Sequence, residues 1–131
     1  MTRIALIGAA EAAGRRLAVN LLERDPSISL LVVDPERAQA EALAAALDTP
    51  RCTWAAMGAG VGSLAALIAG ADAALGFLGS DIEMETTAAA AAIEALNEPV
   101  FGRQRFRSIY TRVAAAFYDL AKRHFFVKRA C

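Results

Sequence analysis

Arg3-Ile4-Ala5-Leu6-Ile7-Gly8-Ala9-Ala10-Glu11-Ala12-Ala13-Gly14 opens the stretch whose reading decides the fold, and Ile28-Ser29-Leu30-Leu31-Val32-Val33-Asp34 closes it. Residues 3–7 form a short, mostly apolar run that stops at a glycine. Such a run suits a strand buried on both faces, as in a parallel sheet. Residues 14–24 then place Leu17, Ala18 and Leu21 on one helical face, with Arg15, Arg16, Glu23 and Arg24 mostly elsewhere around the cylinder. Asp25-Pro26-Ser27 breaks the helix. Residues 28–33 are a second buried strand, and Asp34 ends it.

The same alternation continues outward. Pro35 can open a helix, because its missing N–H costs nothing in a first turn. Residues 36–47 carry the helix on, and Asp48-Thr49-Pro50 stops it. Residues 51–57, with Trp54, are the weakest strand of the series. Gly58-Ala59-Gly60-Val61-Gly62 is a loop, and Ser63 can cap a helix over 64–70. Residues 72–78 read as a fourth strand ending at Gly79, and 83–96 as an alanine-rich helix. Strands alternating with helices predict a parallel sheet with right-handed crossovers. The expected fold is therefore α/β and Rossmann-type, with four to five parallel strands, flanking helices and a C-terminal amphipathic helix. A fifth strand is not clear between Pro99 and Ser108.

The chain has 131 residues, 56% of them hydrophobic, which is enough for one compact core. No apolar run reaches the ~18 residues of a membrane span, and the first strand begins without a signal-peptide layout. A cytoplasmic protein is expected. Cys52 and Cys131 share no metal spacing, and His124 is the single histidine, so neither a metal site nor a disulfide framework is expected. The net charge of zero hides an asymmetry. Residues 1–102 hold 6 basic and 13 acidic side chains, whereas 103–131 hold 8 basic ones and only Asp119. Two units follow: the Rossmann-type α/β domain over 1–102 and a basic helical tail over 103–131.

The loop after the first strand carries the chemistry. Parallel sheets bind ligands at the carboxyl ends of their strands. Gly8 allows a tight turn, and small residues Ala9, Ala10, Ala12 and Ala13 let backbone N–H groups approach a pyrophosphate. Gly14 lets the helix lie close to the sheet, with its positive end toward phosphate. Asp34 stands where a carboxylate accepts hydrogen bonds from the adenosine ribose. It would repel a 2′-phosphate, which favours NAD over NADP, and Arg37 would weaken that preference. A simpler reading stands beside this one: small residues for close packing, and Asp34 as a helix N-cap.

These residues resemble a family. The loop is similar to the Gly-Ala-x-Gly-x-x-Gly variant of saccharopine dehydrogenase-like oxidoreductases and of extended short-chain dehydrogenases. Leu22-Glu23-Arg24-Asp25-Pro26, Val32-Val33-Asp34-Pro35-Glu36-Arg37-Ala38, Ser63 to Asp72 and Ala88 to Ala95 resemble the saccharopine-like group. The likeness spans residues 3–96. It implies an NAD(P)-dependent oxidoreductase domain in which Phe77, Leu78 and Gly79 pass the nicotinamide side of the cofactor. It also implies a second, substrate-carrying domain, for which residues 103–131 leave no room. Two departures stand out. Glu11 takes the place of the middle glycine, where a carboxylate crowds and repels phosphate unless it turns to solvent. Met57-Gly58 lacks the acid that often follows the third strand. The Gly58–Gly62 segment reads as a flexible connection and not as a second phosphate cradle.

In the tail, Phe106, Ile109, Tyr110, Val113, Phe117 and Leu120 recur at helical spacing, predicting an amphipathic helix over 103–126. Its apolar stripe is expected to dock on the sheet or on a second copy, giving a homodimer. No nucleic-acid motif accompanies the basic residues, so nucleic acid and membrane are disfavoured as partners. Tyr118 and Lys122 match the Tyr-x-x-x-Lys spacing of short-chain dehydrogenases, with Ser108 upstream. They follow the fourth strand too soon, and no catalytic residue is assigned. Three functions stay open: the cofactor domain of an oxidoreductase, a regulatory nucleotide-sensing module resembling those that gate potassium transport, and an interaction protein that has lost the cofactor.

Overall fold

A computed structural model describes residues 2–10, 12–58, 60–77, 82–100 and 125–129. The chain alternates through β1 (Thr2–Ile7), α1 (Ala12–Arg24), β2 (Ile28–Asp34), α2 (Arg37–Leu47), β3 (Cys52–Ala56), α3 (Val61–Ile68), β4 (Ala73–Gly76) and α4 (Ile82–Leu96). The first four strands are all parallel, in the order β3-β2-β1-β4. With the four helices of the described residues around them, this is a Rossmann-like α/β fold.

Burial explains why the first strands read so plainly. Ile4 to Ile7 and Ala73 to Gly76 are buried without a break, since β1 and β4 carry helices over both faces. Alternate residues then serve two cores. Ile4, Leu6, Leu30, Val32 and Leu75 meet Leu17, Leu21 and Leu43 of α1 and α2. Ala5, Ile7, Leu31, Val33 and Ala74 meet Leu64, Ile68, Ala88, Ala92 and Leu96 of α3 and α4. Alanines dominate this second layer, so α4 can lie close to the sheet. The edge strand β3 is only half-buried, which is why its sequence signal is weak.

Several ends differ from expectation. Pro35 lies one residue before the N-cap of α2, which is Glu36. Gly60 is the N-cap of α3, so Ser63 sits inside the first turn and does not cap it. Asp48 does end α2, in the left-handed conformation, with its N–H donating to the Ala44 carbonyl at 3.2 Å.

Beyond α4 the chain departs from an all-parallel sheet. β5 (Asn97–Val100) follows α4 directly, and β6 (Phe125–Arg129) inserts between β4 and β5. β6 is antiparallel to both, with Gly76 opposite Phe125 and Ala73 opposite Lys128. The expected helix over 103–126 otherwise lies outside the described residues, but its last two positions, 125 and 126, are strand. Phe125-Phe126-Val127 is aromatic and β-branched and has a sheet edge to pair with, which favours strand over helix. The change of charge at residue 102 is not a boundary of the sheet, because β6 completes it from the basic side.

Candidate functional site

The carboxyl ends of the parallel strands are tied together by backbone hydrogen bonds. The Phe77 N–H donates to the Ile7 carbonyl at 2.8 Å, Gly8 to Val33 at 2.7 Å and Met57 to Asp34 at 2.9 Å. The loops that leave β1, β2 and β3 therefore start side by side.

Gly8 and Gly14 sit as their places in the loop require. Gly8 has φ 81°, a left-handed turn out of β1. Gly14 is required by close approach: a Cβ there would stand 2.7 Å from Ala9 Cα and 2.8 Å from the Ala9 carbonyl oxygen. Ala9 is buried, Ala10 is half-buried and Ala12 is exposed. Glu11, whose fit beside phosphate the sequence puts in question, lies outside the described residues, as do Leu78 and Gly79. Of Ala13 only its place in the first turn of α1 is described. Phe77 is 2% exposed and packs in the α1–α2 core.

Asp34 joins the loop to the second strand. Its Oδ2 accepts from the Ala10 N–H at 3.3 Å, and its Oδ1 accepts from the Glu36 N–H at 3.0 Å. It is 7% exposed. Asp34 is thus not the N-cap of α2. It makes an Asx-type turn into that helix and holds the glycine loop with its other oxygen. Arg15 secures the same loop, its Nε donating to the Ala10 carbonyl at 3.0 Å.

These bonds engage N–H groups that the sequence offered to a pyrophosphate. The N–H groups of Gly8 and Ala9 are directed at Val33, and that of Ala10 at Asp34. Donors toward an anion fall instead to the first turn of α1, where helix geometry leaves N–H groups without intrahelical acceptors. Arg37, the first residue of α2, reaches across to β3. Its guanidinium lies over the Trp54 ring, 5.1 Å from the centroid. Trp54 packs against the α1–α2 core, so the ring and its cation belong to that layer.

Sequence reasoning missed a cavity of about 530 Å³, within the range of small-molecule sites. Pro35, Met57, Gly58 and Gly60 line it from the ends of β2 and β3, and Glu83, Met84 and Thr87 from the start of α4. Its signal was the Gly58–Gly62 segment, which follows a strand's carboxyl end as the first glycine loop does. With two methionines, a proline, a hydroxyl and a carboxylate, the cavity suits a planar base or a sugar better than a phosphate. Among the described residues, none of the glycine loop lines it; Asp34 adjoins it through Pro35.

Other chemistry is sparse. Burial pushes the Cys52 thiol up from its ordinary range, so it stays protonated and weakly nucleophilic near neutral pH. Among the described residues no three His, Cys, Asp or Glu side chains are grouped to hold a metal ion. None of their helices is long and apolar enough to cross a membrane. Tyr118, Lys122 and Ser108 lie outside the described residues. Compared with models of known protein families and with curated proteins, the chain matches none.

Proposed function

We propose that the chain is a cytoplasmic NAD-binding domain of the kind found in saccharopine dehydrogenase-like oxidoreductases. One observation carries the reading: the Ala10 N–H on the Asp34 carboxylate, which brings the glycine loop and the acid ending β2 to one point at the sheet's carboxyl edge. The parts fit such a ligand. Gly8 and Gly14 supply the turn and the close approach, and the first turn of α1 supplies donors for a pyrophosphate. A carboxylate oxygen has two acceptor positions, so each Asp34 oxygen keeps one for a ribose hydroxyl beside its backbone bond. The carboxylate disfavours a 2′-phosphate, and Arg37, which would offset it, is engaged on Trp54.

Calorimetric titration of the chain with NAD and NADP tests this. Binding of NAD, with NADP about tenfold or more weaker, is the expected result. Equal or tighter NADP binding overturns the role of Asp34. Failure of both to bind leaves an interaction protein built on the same fold.

A further inference from the structure

We propose that Glu83 selects the base of the bound nucleotide: its carboxylate accepts a hydrogen bond from the exocyclic amine of adenine, so the chain takes adenine dinucleotides and turns away their hypoxanthine counterparts. This assignment rests on the nucleotide-binding reading above and goes beyond it to the residue that chooses the base. Pro35 is both a wall of the cavity and the residue after Asp34. Consecutive Cα atoms stand about 3.8 Å apart. A ribose held by the Asp34 carboxylate therefore has the cavity within reach of its base.

The cavity has two kinds of wall. Pro35, Met57 and Met84 are apolar, and methionine adapts its shape to a flat ring. Gly58 and Gly60 add backbone without side chains, and a Cβ at Gly60 would meet nothing within 4 Å. Among the described lining residues, the side chains with hydrogen-bonding groups are those of Glu83 and Thr87, both from α4. Four positions apart, they stand one above the other on one helical face.

The two groups differ in hydrogen-bonding sense. An ionised carboxylate only accepts, whereas a hydroxyl also donates. The edge of adenine offers the matching pair, an amine that donates beside a ring nitrogen that accepts. The amine goes to Glu83 and the ring nitrogen to Thr87. Guanine carries a carbonyl oxygen in place of that amine, and so does hypoxanthine. Against Glu83 this sets acceptor on acceptor and leaves the carboxylate without its bond. The same charge repels phosphate, which sends the base and not the pyrophosphate toward the start of α4.

Calorimetric titration of the full chain with NAD and with its hypoxanthine analogue tests the assignment. The two ligands carry the same charge, so general electrostatics cancels in their ratio. The expected result is an analogue about tenfold or more weaker than NAD. In Glu83→Gln, whose amide can donate as well as accept, the gap should shrink to about threefold or less. Glu94→Gln, later on the same helix, should leave the gap as it is in the wild type. Equal affinities in the wild type, a gap that survives Glu83→Gln, or one that also closes in Glu94→Gln overturns the role of Glu83 and leaves the dinucleotide reading intact. Failure of both ligands to bind the wild type overturns both.

Discussion

The connections that leave this sheet after β1 and after β3 both carry glycines, and they look alike in composition. They are held very differently. In the first, Gly14 faces backbone: an added Cβ would meet Ala9 Cα and its carbonyl oxygen, atoms that cannot rotate away. In the second, an added Cβ at Gly62 meets nothing within 4 Å, and one at Gly58 meets only the Ser63 side chain at 3.0 Å. Gly60 is needed there for another reason, its φ of 86° and ψ of 169°. The first loop is fixed by contact with its own helix. The second is fixed by one backbone conformation and is otherwise open toward the cavity.

The largest effect that contrast predicts is at Gly14. Gly14→Ala forces α1 away from Ala9 and should cost about 2–3 kcal/mol in urea unfolding, as overpacking does. Dinucleotide binding should be lost with it. A Gly14→Ala protein as stable as the wild type would break the comparison.

Asp34→Ala comes next. It removes the acceptor of the Ala10 and Glu36 N–H groups, and a partly buried donor left unpaired costs about 1–3 kcal/mol. Asp34→Asn keeps one acceptor oxygen and should lose less. Denaturant midpoints for the two variants, measured together, test the ordering; equal losses would mean that the hydrogen bonds to Asp34 carry no stability.

Gly60 and Gly62 divide the second loop. Gly60→Ala enters a region open essentially to glycine alone and should cost about 1–3 kcal/mol, although space surrounds it. Gly62→Ala, in the first turn of α3, should stabilise by about 0.5–1 kcal/mol, because alanine has less freedom to lose on folding. Thermal melting of both variants should move in opposite directions. Movement in the same direction would mean that the loop is set by packing after all.

Legibility in the sequence followed burial. β1, β2 and β4 are covered on both faces, so their residues had to be a run of Ile, Leu, Val and Ala, and such runs are visible. The glycine loop and Asp34 were legible because their spacing is set by one local crossover. β3 was faint, since a half-buried edge strand tolerates an exposed Thr53 within it. β6 was hidden for a different reason. Phe125-Phe126-Val127 follows a helical pattern in a basic segment, and nothing local says that it will pair with β4. The cavity was hidden because its walls come from β2, β3 and α4, each contributing residues that are unremarkable alone.

By itself, then, the sequence determined the alternating parallel layers, the tight turn at Gly8 and the acid at the end of β2, all consequences of short-range pattern. Only the tertiary structure decided where the hydrogen bonds of that acid go, that Arg37 lies on Trp54 and that an antiparallel strand stands beside β4. Those depend on which distant segments meet, and the energy of a meeting is shared between residues that a one-dimensional pattern keeps apart.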